Sequence, residues 1–207
     1  DSDIHVHGIY NDALSDGRIE GIRSTTGKVV NTLIDASFEG PPHGSKYRTV
    51  VGIEGFGGVA VNNTIYLSNI ERIYCRTRGI TGETYFAYNN VLNSIGSNED
   101  HAFYRHSGEF ASTLVNNYIQ GFDYAARSNG NISTFQDLSS TATLTGNQSA
   151  DADTDPLFNG AASGDFSLSE SAPSFVRTGA STTSYPIDGD INDGERGTEY
   201  SLGAFED

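Results

Sequence analysis

Four stretches of the chain share one arrangement of apolar and polar positions. They are Thr32-Leu33-Ile34-Asp35-Ala36-Ser37-Phe38, Val59-Ala60-Val61-Asn62-Asn63-Thr64-Ile65, Phe86-Ala87-Tyr88-Asn89-Asn90-Val91-Leu92 and Thr113-Leu114-Val115-Asn116-Asn117-Tyr118-Ile119. Their anchors, 34, 61, 88 and 115, are 27 residues apart at every step. Within a stretch the pattern alternates: Val61, Asn63 and Ile65 fall on one face of an extended chain, Asn62 and Thr64 on the other. β-Branched and aromatic residues fill these positions, as strands prefer. Frequent glycine and the lack of a long 3.6-residue period disfavour helix. A strand recurring at constant spacing without helices predicts a solenoid of parallel β-coils. Each coil holds about three short strands, stacked about 4.8 Å from the next. Val61, Tyr88 and Val115 are then expected in one column with Ile34. Asn63, Asn90 and Asn117 form another, either as a ladder of mutually bonded amides or as turn formers at a corner.

A second set of segments lies between these strands: Arg23-Ser24-Thr25-Thr26-Gly27, Arg76-Thr77-Arg78-Gly79, Arg105-His106-Ser107-Gly108 and Arg127-Ser128-Asn129-Gly130. Apolar or aromatic residues precede each one. The pattern predicts strands that end in an exposed base and a glycine turn. The second coil departs from it, with Glu54-Gly55-Phe56-Gly57-Gly58 in that place. The spacings here are unequal, which predicts loops of unequal length on one side, where solenoids often carry function.

With its Asn-Asn-x-Ile coils over about residues 20–149, the chain resembles the right-handed parallel β-helix superfamily, often called pectate-lyase-like. A second likeness lies in the tail. Asp155-Pro156-Leu157-Phe158, Gly164-Asp165-Phe166-Ser167-Leu168, Ala172-Pro173-Ser174-Phe175, Thr178-Gly179-Ala180 and Ser201-Leu202-Gly203-Ala204-Phe205-Glu206 follow in order. This is similar to the C-terminal end of secreted bacterial β-helix proteins, with Phe175-Val176-Arg177 replacing the usual Ile-Asp before the glycine. The resemblance implies an all-β fold: a right-handed parallel β-helix over residues 1–149. Residues 150–207 form an irregular, acidic C-terminal cap of the same domain. Leu157, Phe158, Phe166, Leu168, Phe175, Tyr185, Ile187, Leu202 and Phe205 are expected to cover the last coil, since an open sheet edge invites aggregation. The resemblance also implies an extracellular or cell-surface location. It does not select an activity, because the superfamily holds lyases, hydrolases, adhesins and phage proteins.

Charge narrows the partners. The net charge is −15, which repels phosphate backbones and argues against nucleic acid. Residues 150–207 carry 12 acids against Arg177 and Arg196. No run approaches the roughly 20 apolar residues of a membrane span. The single Cys75 excludes an internal disulfide.

Candidate chemistry is concentrated in the middle coils. Arg76, Arg78, Tyr104, Arg105, His106 and Arg127 occur at related places near strand ends. Arginines suit carboxylated sugars, because a guanidinium forks onto a carboxylate. β-Elimination of a uronic-acid polymer needs a neutralised carboxylate, a base and an acid, roles that Arg, Lys, His and Tyr take in the lyases this chain resembles. The lyase-type Lys/Arg pair is not visible, and no motif selects a carboxylate pair for hydrolysis. The alternative for the arginines is structural pairing with Glu and Asp of neighbouring coils. In the tail, Asp188, Asp190 and Asn192 alternate as in a calcium loop, or form a solvated turn; no other cofactor is expected. Gly55-Phe56-Gly57-Gly58 runs into a strand rather than a helix, so it is not a dinucleotide loop.

Two functions follow as expectations. One is an extracellular module that binds or acts on polysaccharide; if an enzyme, it is a lyase or glycoside hydrolase. The other is a structural or adhesive surface protein assembling end to end, as a filament, appendage or phage-type component. Self-association would use the N-terminal coil, where Ile4, Val6, Ile9 and Tyr10 follow no amphipathic helix.

Overall fold

The computed structural model describes residues 2–9, 18–23, 26–39, 48–69, 75–83, 85–96, 99–106, 112–127, 129–138, 143–151, 156–180 and 200–204. The chain visits three sheets in cyclic order and so winds a parallel β-solenoid of about four turns. The first sheet holds Ser2–Ile9, Thr32–Glu39, Thr64–Asn69, Val91–Ile95, Tyr118–Gln120 and Gln148–Ala150. The second holds Arg18–Arg23, Arg48–Phe56, Cys75–Gly82, Glu99–Tyr104 and Tyr124–Arg127, closed by the antiparallel Asn131–Ile132. The third holds Lys28–Val30, Val59–Val61, Phe86–Tyr88, Thr113–Val115 and Thr143–Thr145.

Columns of like residues fill the interior. Ile34, Ile65, Leu92 and Ile119 stack on the first sheet, and Ile53, Ile80, Phe103 and Ala126 on the second. Val29, Ala60, Ala87 and Leu114 stack on the third. All belong to one buried cluster, whose removal from water drives the winding. Gly21, Gly52 and Gly79 lie where the second sheet leaves no room for a side chain. A Cβ on Gly79 would sit 2.4 Å from the Ala102 carbonyl oxygen of the next coil and 2.4 Å from the Leu92 side chain.

Three of the four repeated stretches are two strands each, with a corner between them, whereas Thr32–Phe38 lies within one strand. Val59–Val61 and Thr64–Asn69 belong to different sheets. The turn is made by Asn62 in the left-handed region, as at Asn31, Asn89 and Asn116, a conformation asparagine tolerates better than most residues. The next residue builds the ladder. The Asn63 Nδ2 donates to Asn90 Oδ1, Asn90 Nδ2 to Asn117 Oδ1, and Asn117 Nδ2 to Asn147 Oδ1, each at 2.9 Å. The same oxygens accept the backbone N–H of the coil before, so the buried amides are satisfied.

The column of Val61, Tyr88 and Val115 exists, but its next member is Val30. Ile34 belongs to the first sheet. The first step is therefore 31 residues, because the turn asparagine sets the register and in that coil it is Asn31. The bases also sit differently from expectation: Arg76 and Arg78 lie inside the strand Cys75–Gly82, not at its end.

The tail departs most. Phe135 and Leu138, from a short 3-10 turn after the second sheet, join the interior cluster near its far end. The described tail residues run along the side of the solenoid. Leu157, Phe158, Phe166, Ala172, Val176 and Leu202 cluster with Leu33, Tyr66, Val91 and Tyr118, which project outward from successive strands of the first sheet. The Gly203 N–H donates to the Asn89 carbonyl at 2.8 Å, and the Ala204 N–H to Thr64 Oγ1 at 3.1 Å. An outward face of large apolar side chains needs a cover, and the tail supplies it. Tyr185, Ile187 and Phe205 lie outside the described residues.

Candidate functional site

The outward face of the second sheet has the opposite chemistry. In the strand Cys75–Gly82, Thr77 is fully buried: its N–H donates to Asp100 Oδ1 at 3.0 Å, and its hydroxyl meets Ser94 Oγ at 2.7 Å. Alternation then places Arg76 and Arg78 on the outside. Register sets Arg76 beside Glu99, Arg78 beside His101, His101 beside Tyr124, and Tyr104 beside Arg127.

Most of the bases on this face hold carboxylates. Glu99 bridges two, taking Arg76 Nε at 2.6 Å and Arg127 Nη1 at 3.1 Å. Arg18 spans Glu20 and Glu54. Arg23 forks onto Glu20 through two 2.7 Å bonds. Arg105 pairs with Glu83 at 3.0 Å. Glu54 also accepts the Thr81 hydroxyl and lies 3.6 Å from His106 Nε2. The bond from Arg23, then the charges of Arg18 and Arg23, outweigh burial and hold the Glu20 carboxyl below its ordinary range.

Tyr104 is the hub. The Arg78 guanidinium carbon lies 3.8 Å from its ring centre and that of Arg127 5.4 Å. His101 and His106 meet it edge-on at 5.3 and 5.2 Å. His101 also stacks on Tyr124 at 5.0 Å, and its Nε2 is 3.0 Å from Asn131 Oδ1. Burial pulls the His101 pKa below its usual value, against the bond to Asn131. Burial likewise lowers that of Arg78; Arg18 and Arg76 add to this, while Tyr104 and Glu54 oppose it.

Five of the six sequence candidates, Arg76, Arg78, Tyr104, His106 and Arg127, are thus linked through Glu99 and Tyr104. Arg105 pairs with Glu83. Sequence reasoning passed over Glu99, His101 and Tyr124. The second sheet advances 23 residues between its third and fourth strands, as the pairing of Arg78 with His101 requires. A search at a 27-residue spacing misses that pairing; the alternation Glu99, His101 followed by Phe103-Tyr104 was the available signal.

Among the described residues no cluster of three or more His, Cys, Asp or Glu could hold a metal ion. Asp188, Asp190 and Asn192, the calcium candidates, lie outside those residues, as does the side chain of Cys75. No described helix is long and apolar enough to cross a membrane. No protein-family model, curated protein or solved structure matches the chain.

Proposed function

We propose that this chain is an extracellular β-helix module, of the pectate-lyase-like kind, that binds polysaccharide along the outward face of its second sheet. One observation carries the reading: guanidinium, carboxylate, imidazole and phenol groups gather on that face, while on the first sheet's outward face Leu33, Tyr66, Val91 and Tyr118 are covered by the tail. Coils rise about 4.8 Å each, so the groups recur on the scale of successive sugar units. Planar charged groups bond paired hydroxyls, and aromatic rings accept the apolar side of a sugar ring. Binding rather than turnover is favoured, because His101 and Tyr104 are only 1% and 6% exposed and are held in ring contacts.

A glycan array probed with the wild-type chain and with a Tyr124→Ala/Arg127→Ala variant tests this. Capture of a glycan by the first and not the second is expected. Equal capture by both, or none by either, overturns the reading. A second reading, end-to-end assembly as a surface or appendage protein, draws on a depression lined by Phe135, Leu138, Leu144, Gly146 and Asn147. It predicts light scattering that rises with concentration and falls in a Leu144→Glu variant.

A further inference from the structure

The asparagine ladder has a stop at one end and an open rung at the other. Inside the solenoid each ladder corner is served by the coil after it. At Asn117, the Asn147 Oδ1 takes both the backbone N–H and the Nδ2–H, at 2.9 Å each. The Asn147 Nδ2 donates back to the Leu114 carbonyl at 2.7 Å. The Thr145 carbonyl takes the Asn116 N–H at 2.8 Å, and the Gln148 N–H donates to the Asn117 carbonyl at 2.9 Å. The Asn63 and Asn90 corners repeat this set. At the front, Thr32 ends the series: it has no amide, and its hydroxyl donates to the Val30 carbonyl of its own coil at 3.0 Å. At the rear the last strands of the third and first sheets are Thr143–Thr145 and Gln148–Ala150. Among the described residues no group meets the Gly146 N–H, the Asn147 N–H, the second Nδ2–H of Asn147, or the Leu144 and Asn147 carbonyls. Thr145, Gly146, Gln148 and Ser149 are exposed, and the depression lined by Phe135, Leu138 and Leu144 lies beside them. The opening is selective, because the second sheet is closed by the antiparallel Asn131–Ile132. An unpaired strand edge is a template for another chain.

We infer that this corner is a docking edge, and that its partner is an extended segment of a different chain that carries an asparagine corner and adds by strand pairing as one more coil. The open groups dictate the segment. Its asparagine Oδ1 takes the Asn147 N–H and Nδ2–H, and its Nδ2 donates to the Leu144 carbonyl. The residue before that asparagine stands in the left-handed region, as Asn31, Asn62, Asn89, Asn116 and Gly146 do, so it is asparagine or glycine. An apolar residue three places before the asparagine continues the interior column of Ala60, Ala87, Leu114 and Leu144 and fills the depression. Aspartate would supply the acceptors without the donor, and leucine neither. The first coil of a second copy is a poorer match. Register puts Ser2 in the ladder place, serine has no amide, and no described third-sheet strand lies level with Ser2–Ile9. The inference rests on the end-to-end reading only in taking this end of the solenoid as a contact face.

The test uses the full chain and, as probe, a peptide with the sequence of residues 112–121, capped at both ends, which is itself such a corner. All substitutions are placed in the peptide, so the fold of the chain is not at stake. In NMR the peptide should shift the Gly146 and Asn147 N–H signals and the Asn147 side-chain amide saturably, and leave those of Tyr124 and Arg127 still. In calorimetry Asn117→Leu in the peptide should weaken binding by about tenfold or more, since open donors and acceptors then lose their partner. Asn117→Asp should fall between, and a scrambled peptide of the same composition should not bind. The affinity of the unsubstituted peptide should not change with salt, because it carries no charged side chain. No saturable binding, equal binding of the Asn117→Leu or scrambled peptide, or shifts confined to the second sheet overturns the inference. Light scattering of the chain alone separates the two readings. Peptide binding without a rise in scattering with concentration leaves the docking edge standing and removes end-to-end self-assembly. A rise without peptide binding keeps self-assembly and removes the docking edge. A rise that the peptide abolishes makes the occupant a second copy and overturns the assignment to a different chain.

Discussion

The first and second sheets are wound from the same coils by parallel pairing, and their outward faces differ in chemistry. On the first sheet Leu33, Tyr66, Val91 and Tyr118 point out and are 1–6% exposed, because the tail lies on them. On the second sheet Arg, Glu, His and Tyr take most of the outward positions, beside Thr49 and Val51, and most of the charged groups pair within the face. Each face therefore solves its own solvation problem, one by a cover and the other by internal pairing. The difference teaches where function can sit. A solenoid's interior columns fix the coil and tolerate little change, whereas its outward positions are chosen face by face. A covered apolar face is spent on stability, and an open polar one is left for recognition.

The contrast breaks most easily on the covered side. Tyr66 packs edge-on against Phe158 and Phe166, with ring centres 6.3 and 5.4 Å away. Tyr66→Ala is expected to cost about 3–5 kcal/mol in chemical denaturation, the range for removing a large buried ring. Arg127→Ala, on the open face, should cost under about 1 kcal/mol. Comparable losses would mean that the open face is structural too. The corner that joins the third and first sheets is next. Asn90→Ala takes the acceptor from the Asn63 N–H and a donor from the Ala60 carbonyl, both buried. Unsatisfied buried groups of this kind predict a loss of about 3 kcal/mol. Asn62→Ala, at the turn residue before Asn63, removes no side-chain hydrogen bond and so tests the left-handed turn.

What could be read in the sequence divides along the same line. The parallel coil was legible because side chains of like type stack over like, as Ile65 over Leu92 over Ile119, and the asparagines repeat with them. The register of the first coil was not. Thr32-Leu33-Ile34 imitates the alternation of Val59-Ala60-Val61, and only the backbone angle of Asn31 shows which residue turns the corner. The tail's apolar residues were readable as a cover, but not what they cover. A sequence marks Leu157 and Phe166 as buried without saying whether against an end or a side. On the second sheet the residue types were visible and their pairing was not. Arg76 and Arg78 read as equivalent neighbours, yet one holds Glu99 and the other none. That distinction depends on which carboxylate the next coil sets beside each base, and coil lengths of 31, 27 and 23 residues in this sheet hide it.

pH separates the two faces without any substitution. On the open face, burial lowers the His101 pKa below the ordinary 6.5. Between the lowered value and 6.5 the unfolded chain binds a proton that the folded chain refuses. Its stability contribution is therefore complete above 6.5 and is lost as pH falls below it. Glu20, held below its ordinary 4.5, contributes above 4.5 and loses its share as pH falls through its folded value. On the covered face burial raises Tyr66, aided by the charge of Asp35, and raises Tyr118. Those phenols contribute below pH 10, and the contribution is lost as pH climbs above it. Interior Tyr85 acts in the same direction. Melting curves at pH 7.5, 6.5 and 5.5 should descend in the wild type and flatten over that interval in His101→Gln. Tyr66→Phe should soften the alkaline descent and leave the acid one unchanged. An acid descent that persists in His101→Gln would place the sensitive group elsewhere.

The smallest expected change in stability comes with the most informative change in binding. Glu99 is about one-quarter exposed and bridges Arg76 and Arg127. Glu99→Gln removes one negative charge from the open face and keeps the shape and one acceptor. Solvent already screens this pair of bridges, so the stability cost should be about 1 kcal/mol or less. The guanidinium groups of Arg76 and Arg127 would then face the ligand with less compensation. Affinity for an acidic oligosaccharide should rise severalfold, and affinity for its neutral counterpart should stay level. The gain should shrink as salt is added, because exposed charges are screened over about 10 Å at 0.1 M ionic strength. If Glu99→Gln instead weakens acidic and neutral oligosaccharides alike, Glu99 itself bonds sugar hydroxyls. The bridge is then part of the recognition surface rather than a brake on it.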